Sequence, residues 1–339
     1  MLIGVVAIAG GGASLPTARS GVPATTASPT TSSGAVTPAP PLSLLIEPDA
    51  GMSSIYALLG SARHAVDLTM YELEDTRAEQ SLAAAAARGV DVRVVLNIVK
   101  TGSVNGAAFS YLRGHGVDVH WASARYALTH QKMLVVDRAV GVIMTLNWTS
   151  RYYADRRDVA VLDHIPSDLA AMEATFNADY DGTEIDPPSG ADLVRSPSTS
   201  LPDLLALIAG TKHQLLVENE EMGNSDVVDA LAAAARRGVN VDECMTDSGS
   251  WASAFGELTA AGVDIRVYSP SAALYIHAKV LGRDPGLSDR EAFAGSQNFS
   301  AESLRYNREL GIDVTSETLI TQLQVMIQRD ENGAVAWSG

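Results

Sequence analysis

Cysteine occurs once in the 339 residues, at Cys244, which excludes an internal disulfide and any metal site built from several thiolates. Lysine is nearly as rare, with four, at positions 100, 132, 212 and 279. Positive charge as a whole is short: 24 Lys and Arg stand against 40 Asp and Glu, a formal charge of −16. Nucleic acid is held through cationic contacts to its phosphates, so a surface of this sign does not grip it as a whole, although a small basic cleft stays open. No apolar run of about 18 residues follows the N terminus, and the body of the chain is expected to be soluble. A serine-esterase G-x-S-x-G elbow is missing. The glycines at 10 to 12 precede no Lys-Ser/Thr and make no phosphate loop. Five of the seven histidines, His64, His115, His120, His164 and His213, lack metal-ligand spacing, and no metal or other cofactor is expected.

Hydrophobic residues nonetheless reach 46%, enough to bury a core, and the length suits two domains. The first ten residues, MLIGVVAIAG, are apolar and followed by small residues, as in a secretory leader. The positive charge that usually opens such a leader is missing, since Arg19 is the only charged residue before Glu47. Residues 11 to 42 are almost wholly Gly, Ala, Ser, Thr, Pro and Val, too poor in large apolar side chains to offset their ordering entropy. Residues 1–42 therefore read as a leader and flexible tether, and the protein as secreted or held in the cell envelope. A polar seam with Pro187-Pro188 and Gly190 would stop any helix or central strand. It predicts a linker over 181–200 between an αβ unit at 43–180 and another at 201–330.

The two units repeat each other. An alanine-rich helix pattern ends at Gly89 and again at Gly238, 149 residues later, each followed by a β-branched run. The same order recurs around Leu112 to His120 and Leu258 to Val267, which indicates an α/β protein with two similar halves. Each half also carries H-x-K-x4-D, as His130, Lys132 and Asp137, then as His277, Lys279 and Asp284. Residue frequencies give about 0.006 such matches by chance, so two at the repeat spacing are no coincidence. If the motif lies in a strand, His and Lys two apart project to one face, with Gln131, Met133, Ala278 and Val280 packing on the other. Asn147 and Asn298 follow, and eleven residues beyond each is a carboxylate, Asp158 or Glu309.

On these residues the chain resembles the phospholipase D superfamily, whose mark is the paired HKD motif, over roughly residues 43 to 330. The resemblance implies two α/β halves with mixed sheets flanked by helices, packed about a pseudo-twofold axis. A single chain then acts as a pseudo-dimer, with both motifs at one phosphodiester site. It also implies metal-independent chemistry through a phosphohistidine. Attack at phosphorus needs a nucleophile, a proton donor for the leaving oxygen and cationic donors for the remaining oxygens. Histidine suits the first two roles because its ordinary pKa lies near working pH. Following the commoner order in the family, His130 is the nucleophile and His277 the general acid. Lys132, Lys279, Asn147 and Asn298 hold the non-bridging oxygens. Asp158 and Glu309 accept the distal ring N–H of a histidine. By resemblance, Asp137 and Asp284 brace the fold.

The family's Gly-Ser before the asparagine stands as Gly295-Ser296 in the second half but as Met144-Thr145 in the first. Thr145 and Ser296 are expected to contact substrate, and Met144 replaces a residue small enough to let backbone approach a ligand. Tyr71 to Asp75 and Glu218 to Glu221 occupy matching strand ends and read as solvated loops, with a place on the site rim as the alternative. Three functions fit. A secreted phospholipase D would release or transfer a phospholipid head group, touching a membrane only transiently; Trp121, Tyr126, Trp148, Tyr268 and Tyr275 near the motifs suit an amphiphile. A nuclease would need Arg125, Arg151, Arg156, Arg157, Arg283 and Arg305 to form a basic groove, against the overall charge, so no stable nucleic-acid complex is expected. A non-catalytic phosphate-binding protein on the same scaffold is the third.

Overall fold

The computed structural model describes residues 40–186 and 192–339; the expected leader, most of the tether and the centre of the seam lie outside them. The first half runs β1 (Leu42–Glu47), α1 (Ser53–Ser61), β2 (Ala65–Met70), β3 (Leu73–Glu74), α2 (Thr76–Ala87), β4 (Asp91–Leu96), α3 (Gly102–Gly114), β5 (Asp118–Trp121), β6 (Met133–Val136), β7 (Val140–Met144), β8 (Trp148–Thr149), β9 (Arg156–Asp163) and α4 (Pro166–Asp181). The second runs β10 (Leu193–Ser196), α5 (Ser200–Gly210), β11 (Gln214–Glu218), α6 (Ser225–Arg236), β12 (Asn240–Thr246), α7 (Ala252–Ala261), β13 (Asp264–Tyr268), β14 (Tyr275–Ile276), β15 (Val280–Arg283), β16 (Glu291–Gly295), α8 (Ala301–Arg305), β17 (Glu309–Val314), α9 (Glu317–Gly333) and β18 (Val335–Ala336).

Local chemistry accounts for the repeated helices. Asp75 caps α2 by accepting from the backbone N–H of Arg77 and Ala78 at 2.9 and 3.1 Å, and Asn224 caps α6 by accepting from Val227 at 3.1 Å. Both helices end where Gly89 and Gly238 take φ of 88° and 92°, a conformation that costs a side-chain-bearing residue energy. The strand after each helix then pairs in parallel with the main strand that precedes it, β4 on β2 and β12 on β11.

The sheets repeat as the helices do. One is ordered β1-β9-β7-β6-β2-β4-β5, with β14 of the second half also on β9, and the other β10-β17-β16-β15-β11-β12-β13-β18, each mixing parallel and antiparallel pairs. Helices α1 to α3 pack on the outer face of the first sheet and α5 to α7 on that of the second. The inner faces share a core with α4 and α9, in which Met133, Val161, Met172 and Phe176 meet Val280, Ile312, Leu323 and Ile327. Two ion pairs cross this core at matching places. Arg157 is held by Asp330 through Nη2–Oδ1 at 2.9 Å and a shorter Nε bond, and Arg308 by Asp179 at 3.0 Å; all four are buried. No described helix is long and apolar enough to cross a membrane.

Candidate active site

The two H-x-K segments lie not in strands but in the extended stretches just before β6 and β15. Each runs along the start of the carboxylate-bearing strand of the opposite half. The His130 N–H donates to the Arg308 carbonyl at 2.8 Å, and the His277 N–H to the Arg157 carbonyl at 3.1 Å. The next residues on those strands are Glu309 and Asp158, so the histidines take their carboxylates in a crossed fashion. His130 Nδ1 lies 2.9 Å from Glu309 Oε2, and His277 Nδ1 lies 2.7 Å from Asp158 Oδ1. A carboxylate only accepts, so each Nδ1 carries a hydrogen and each Nε2 is left without a bond to that carboxylate. Both imidazoles line one cavity of about 440 Å³.

The carboxylates are held from behind. Glu309 also accepts from Ser296 Oγ and Ser303 Oγ, each at 2.6 Å, and from Asn307 Nδ2 at 3.1 Å. Thr145 Oγ1 donates to Asp158 and itself accepts from the Val159 N–H at 2.9 Å. Thr145 and Ser296, expected to touch substrate, are thus fully buried behind the carboxylates and act on the histidines through them. Burial alone would raise Asp158 and Glu309, but the paired histidine and lysine charges and the hydroxyl donors outweigh it and hold both below the usual range. His130 moves down because burial disfavours its charged form more than Glu309 favours it.

The lysines are fully buried, each donating to the carbonyl of its own histidine, Lys132 at 2.6 Å and Lys279 by a shorter bond. Burial, reinforced by Lys279 against the pull of Glu309, brings Lys132 down to about 7. Asn147 and Asn298 line the cavity, and their Oδ1 atoms have no partner among the described residues. Asp137 and Asp284 stay away from it. Asp137 accepts the backbone N–H groups of Arg63, His64 and Ala65, and Asp284 those of Lys212, His213 and Gln214, which closes equivalent turns.

Several expectations need correction. A Cβ on Gly295 would stand 2.5 Å from Gly311 Cα and 2.9 Å from the Leu310 carbonyl, so its smallness serves packing against β17 and not a ligand. Met144, its counterpart, is buried and accepts from Trp148 Nε1 at 3.3 Å, leaving the cavity untouched. Of the six arginines suggested for a basic groove, only Arg156 lines the cavity; Arg125, Arg151, Arg157, Arg283 and Arg305 are paired with Glu184, Glu74, Asp330, Glu291 and Asp226. The aromatic residues at the cavity are Tyr71 and Tyr152, whereas Trp148 is buried and Trp121 stacks on Phe109 with centroids 4.2 Å apart. Glu72, Glu220, Glu221 and Glu302 also line it, so the strand ends read as solvated loops form part of its wall. No repeat marks Asn307 in the sequence, because its counterpart is Arg156.

A family model described as "Cardiolipin synthase, PLD-like domain" matches residues 55–180 and again 204–331. No curated protein matches the sequence. In fold the chain is similar to polyphosphate kinase from Porphyromonas gingivalis, with a TM-score of 0.68 at 17% identity over 85% of this chain and 46% of that one. It is also similar to phosphatidylserine synthase from Haemophilus influenzae Rd KW20, with a TM-score of 0.67 at 12% identity over 88% and 87%. The chain spans just under half the length of the kinase. At these identities the likeness is one of fold.

Proposed function

The chain belongs to the phospholipase D-like family, and we propose from that premise that it is a phosphodiesterase that releases a phospholipid head group, or passes the phosphatidyl group to another alcohol. The observation that carries this reading is the crossed pairing of His130 with Glu309 and His277 with Asp158 at one cavity. His130, whose burial keeps its imidazole neutral, attacks phosphorus through Nε2. The bond from phosphorus to the head-group oxygen breaks, and that oxygen takes the proton of His277 Nε2. Water or an alcohol then gives its proton back to His277 and attacks the phosphohistidine, freeing His130. Lys132, Lys279, Asn147 and Asn298 take the non-bridging oxygens, so the cations of the route come from side chains and no metal step is required.

The acidic wall of Glu72, Glu220, Glu221 and Glu302 supports a lipid over a nucleic acid, since it repels a polyanion at the mouth of the site. The leader-like N terminus supports export, with a single chain acting at a lipid surface through passing contact. The test is incubation of the purified chain in EDTA with phosphatidylcholine vesicles or plasmid DNA. Head-group release is expected, and plasmid nicking without it would replace the lipid reading by a nuclease. His130→Ala is expected to lose at least about 10³-fold in turnover, as removal of a covalent nucleophile does. Full turnover in that variant defeats the mechanism, and inactivity of the parent on both substrates leaves a phosphate-binding protein.

A further inference from the structure

The two half-sites differ in what stands beside the histidine and lysine of each motif. Where β2 ends the first half places Tyr71, and at the matching end of β11 the second half places Glu220. Tyr71 presents its ring to His130, with centroids 4.5 Å apart, and Lys132 Nζ lies 5.1 Å from the same ring. Glu220 makes a different contact. Its Oε2 accepts from Lys279 Nζ at 3.1 Å and lies 3.5 Å from His277 Nε2, while the Tyr275 hydroxyl donates to Oε1 at 3.0 Å. Tyr275 is in turn fixed by its N–H on the Asp155 carbonyl at 2.7 Å. Burial would raise the Glu220 carboxyl, but His277 and Lys279 hold it well below the usual range, so it is an anion.

Lys279 Nζ and His277 Nε2 are the groups that, in the proposed reaction, receive a non-bridging and a leaving oxygen of the phosphodiester. A carboxylate oxygen and a phosphate oxygen compete for the same donors, and two anions side by side in a buried pocket repel each other. We propose that Glu220 is a resident stand-in for phosphate: a phosphodiester reaches Lys279 and His277 only by displacing it. This rests on the phosphodiesterase reading and adds a specificity-determining residue to it. The displaced carboxylate stays beside Glu221, so a dianionic monoester or a polyanion meets more repulsion than the single charge of a diester. Lys132, which finds no carboxylate within bonding distance among the described residues, gives the entering phosphate its first hold.

The experiment is calorimetric titration of the full chain with inorganic phosphate at neutral pH in EDTA, comparing the parent with Glu220→Gln, Tyr275→Phe and Glu302→Gln. Glu220→Gln is expected to bind phosphate about tenfold more tightly, the size of one charge-assisted hydrogen bond. Tyr275→Phe, which keeps the charge but frees Oε1, is expected to tighten binding several-fold and carries the test if the first variant fails to fold. Glu302→Gln removes one rim charge and is expected to change affinity less than about twofold. Equal or weaker phosphate binding in Glu220→Gln and Tyr275→Phe overturns the proposal while leaving the phosphodiesterase reading in place. An equal gain in Glu302→Gln overturns it too, since the effect would then be general charge. Phosphate binding by none of the four overturns the proposal too, while head-group release by the parent decides the phosphodiesterase reading separately.

Discussion

Thr145 and Ser296 show how a hydroxyl can act on a candidate site from behind, through the carboxylate it holds. Each donates to the carboxylate that orients the histidine of the other half. Thr145→Val is therefore expected to lower kcat roughly tenfold, the worth of a hydrogen bond to a charged group, with KM nearly unchanged. A rise in KM at constant kcat would return Thr145 to the substrate. The pH dependence is decided at the same scale. Burial keeps His130 below its usual value, which favours the neutral imidazole that can attack. Lys132 is charged below about 7 and loses its proton above it, and with it the hold on an anionic phosphate. The expected profile of kcat/KM against pH falls on the alkaline side from about pH 7. A plateau out to pH 9 would mean that Lys132 stays protonated.

Among the elements, β12 carries a cost that serves no described contact. Glu243 is fully buried between β11 and β13, and neither of its oxygens has a partner among the described residues. Burial raises its pKa to about 8. Below about pH 4.5 the group is protonated folded and unfolded alike, and it has no effect. Between about 4.5 and 8 the folded state holds a proton that the unfolded state does not, so stability falls by roughly 1.4 kcal/mol per pH unit. Above 8 the penalty is constant. Glu243→Gln is expected to stabilise the protein by a few kcal/mol at pH 9 and by little at pH 4, read from urea unfolding at both. An equal effect at the two pH values would show that the change acts through packing.

For the molecule as a whole, the two halves are bound by what passes between them. Arg157 with Asp330 and Arg308 with Asp179 close the shared core from both sides, next to the carboxylates that pair with the histidines. Removing one partner strands a buried charge, so Asp330→Ala is expected to destabilise by about 3–5 kcal/mol in chemical denaturation. The double change Arg157→Met with Asp330→Leu is expected to recover most of the loss, because an apolar pair of similar volume has no charge to desolvate. A loss in Asp330→Ala below about 1 kcal/mol would show that water reaches Arg157.

Much of this was legible in the chain because it depends on order and period. The alanine-rich helices with their terminal glycines, the strand after each, and the recurrence of His130, Lys132 and Asn147 as His277, Lys279 and Asn298 are linear patterns, and they sufficed for two αβ halves and a paired motif. Which carboxylate serves which histidine was not legible. Asp158 follows His130 in the same half, yet it bonds His277, because the segment after β14 runs along β9 and the segment before β6 along β17. Glu220 against Lys279, the pairing of the arginines away from the cavity and the demand for glycine at 295 have the same origin. Each is set by which strand lies beside which, and a one-dimensional pattern carries the spacing within a strand but not the identity of its neighbour.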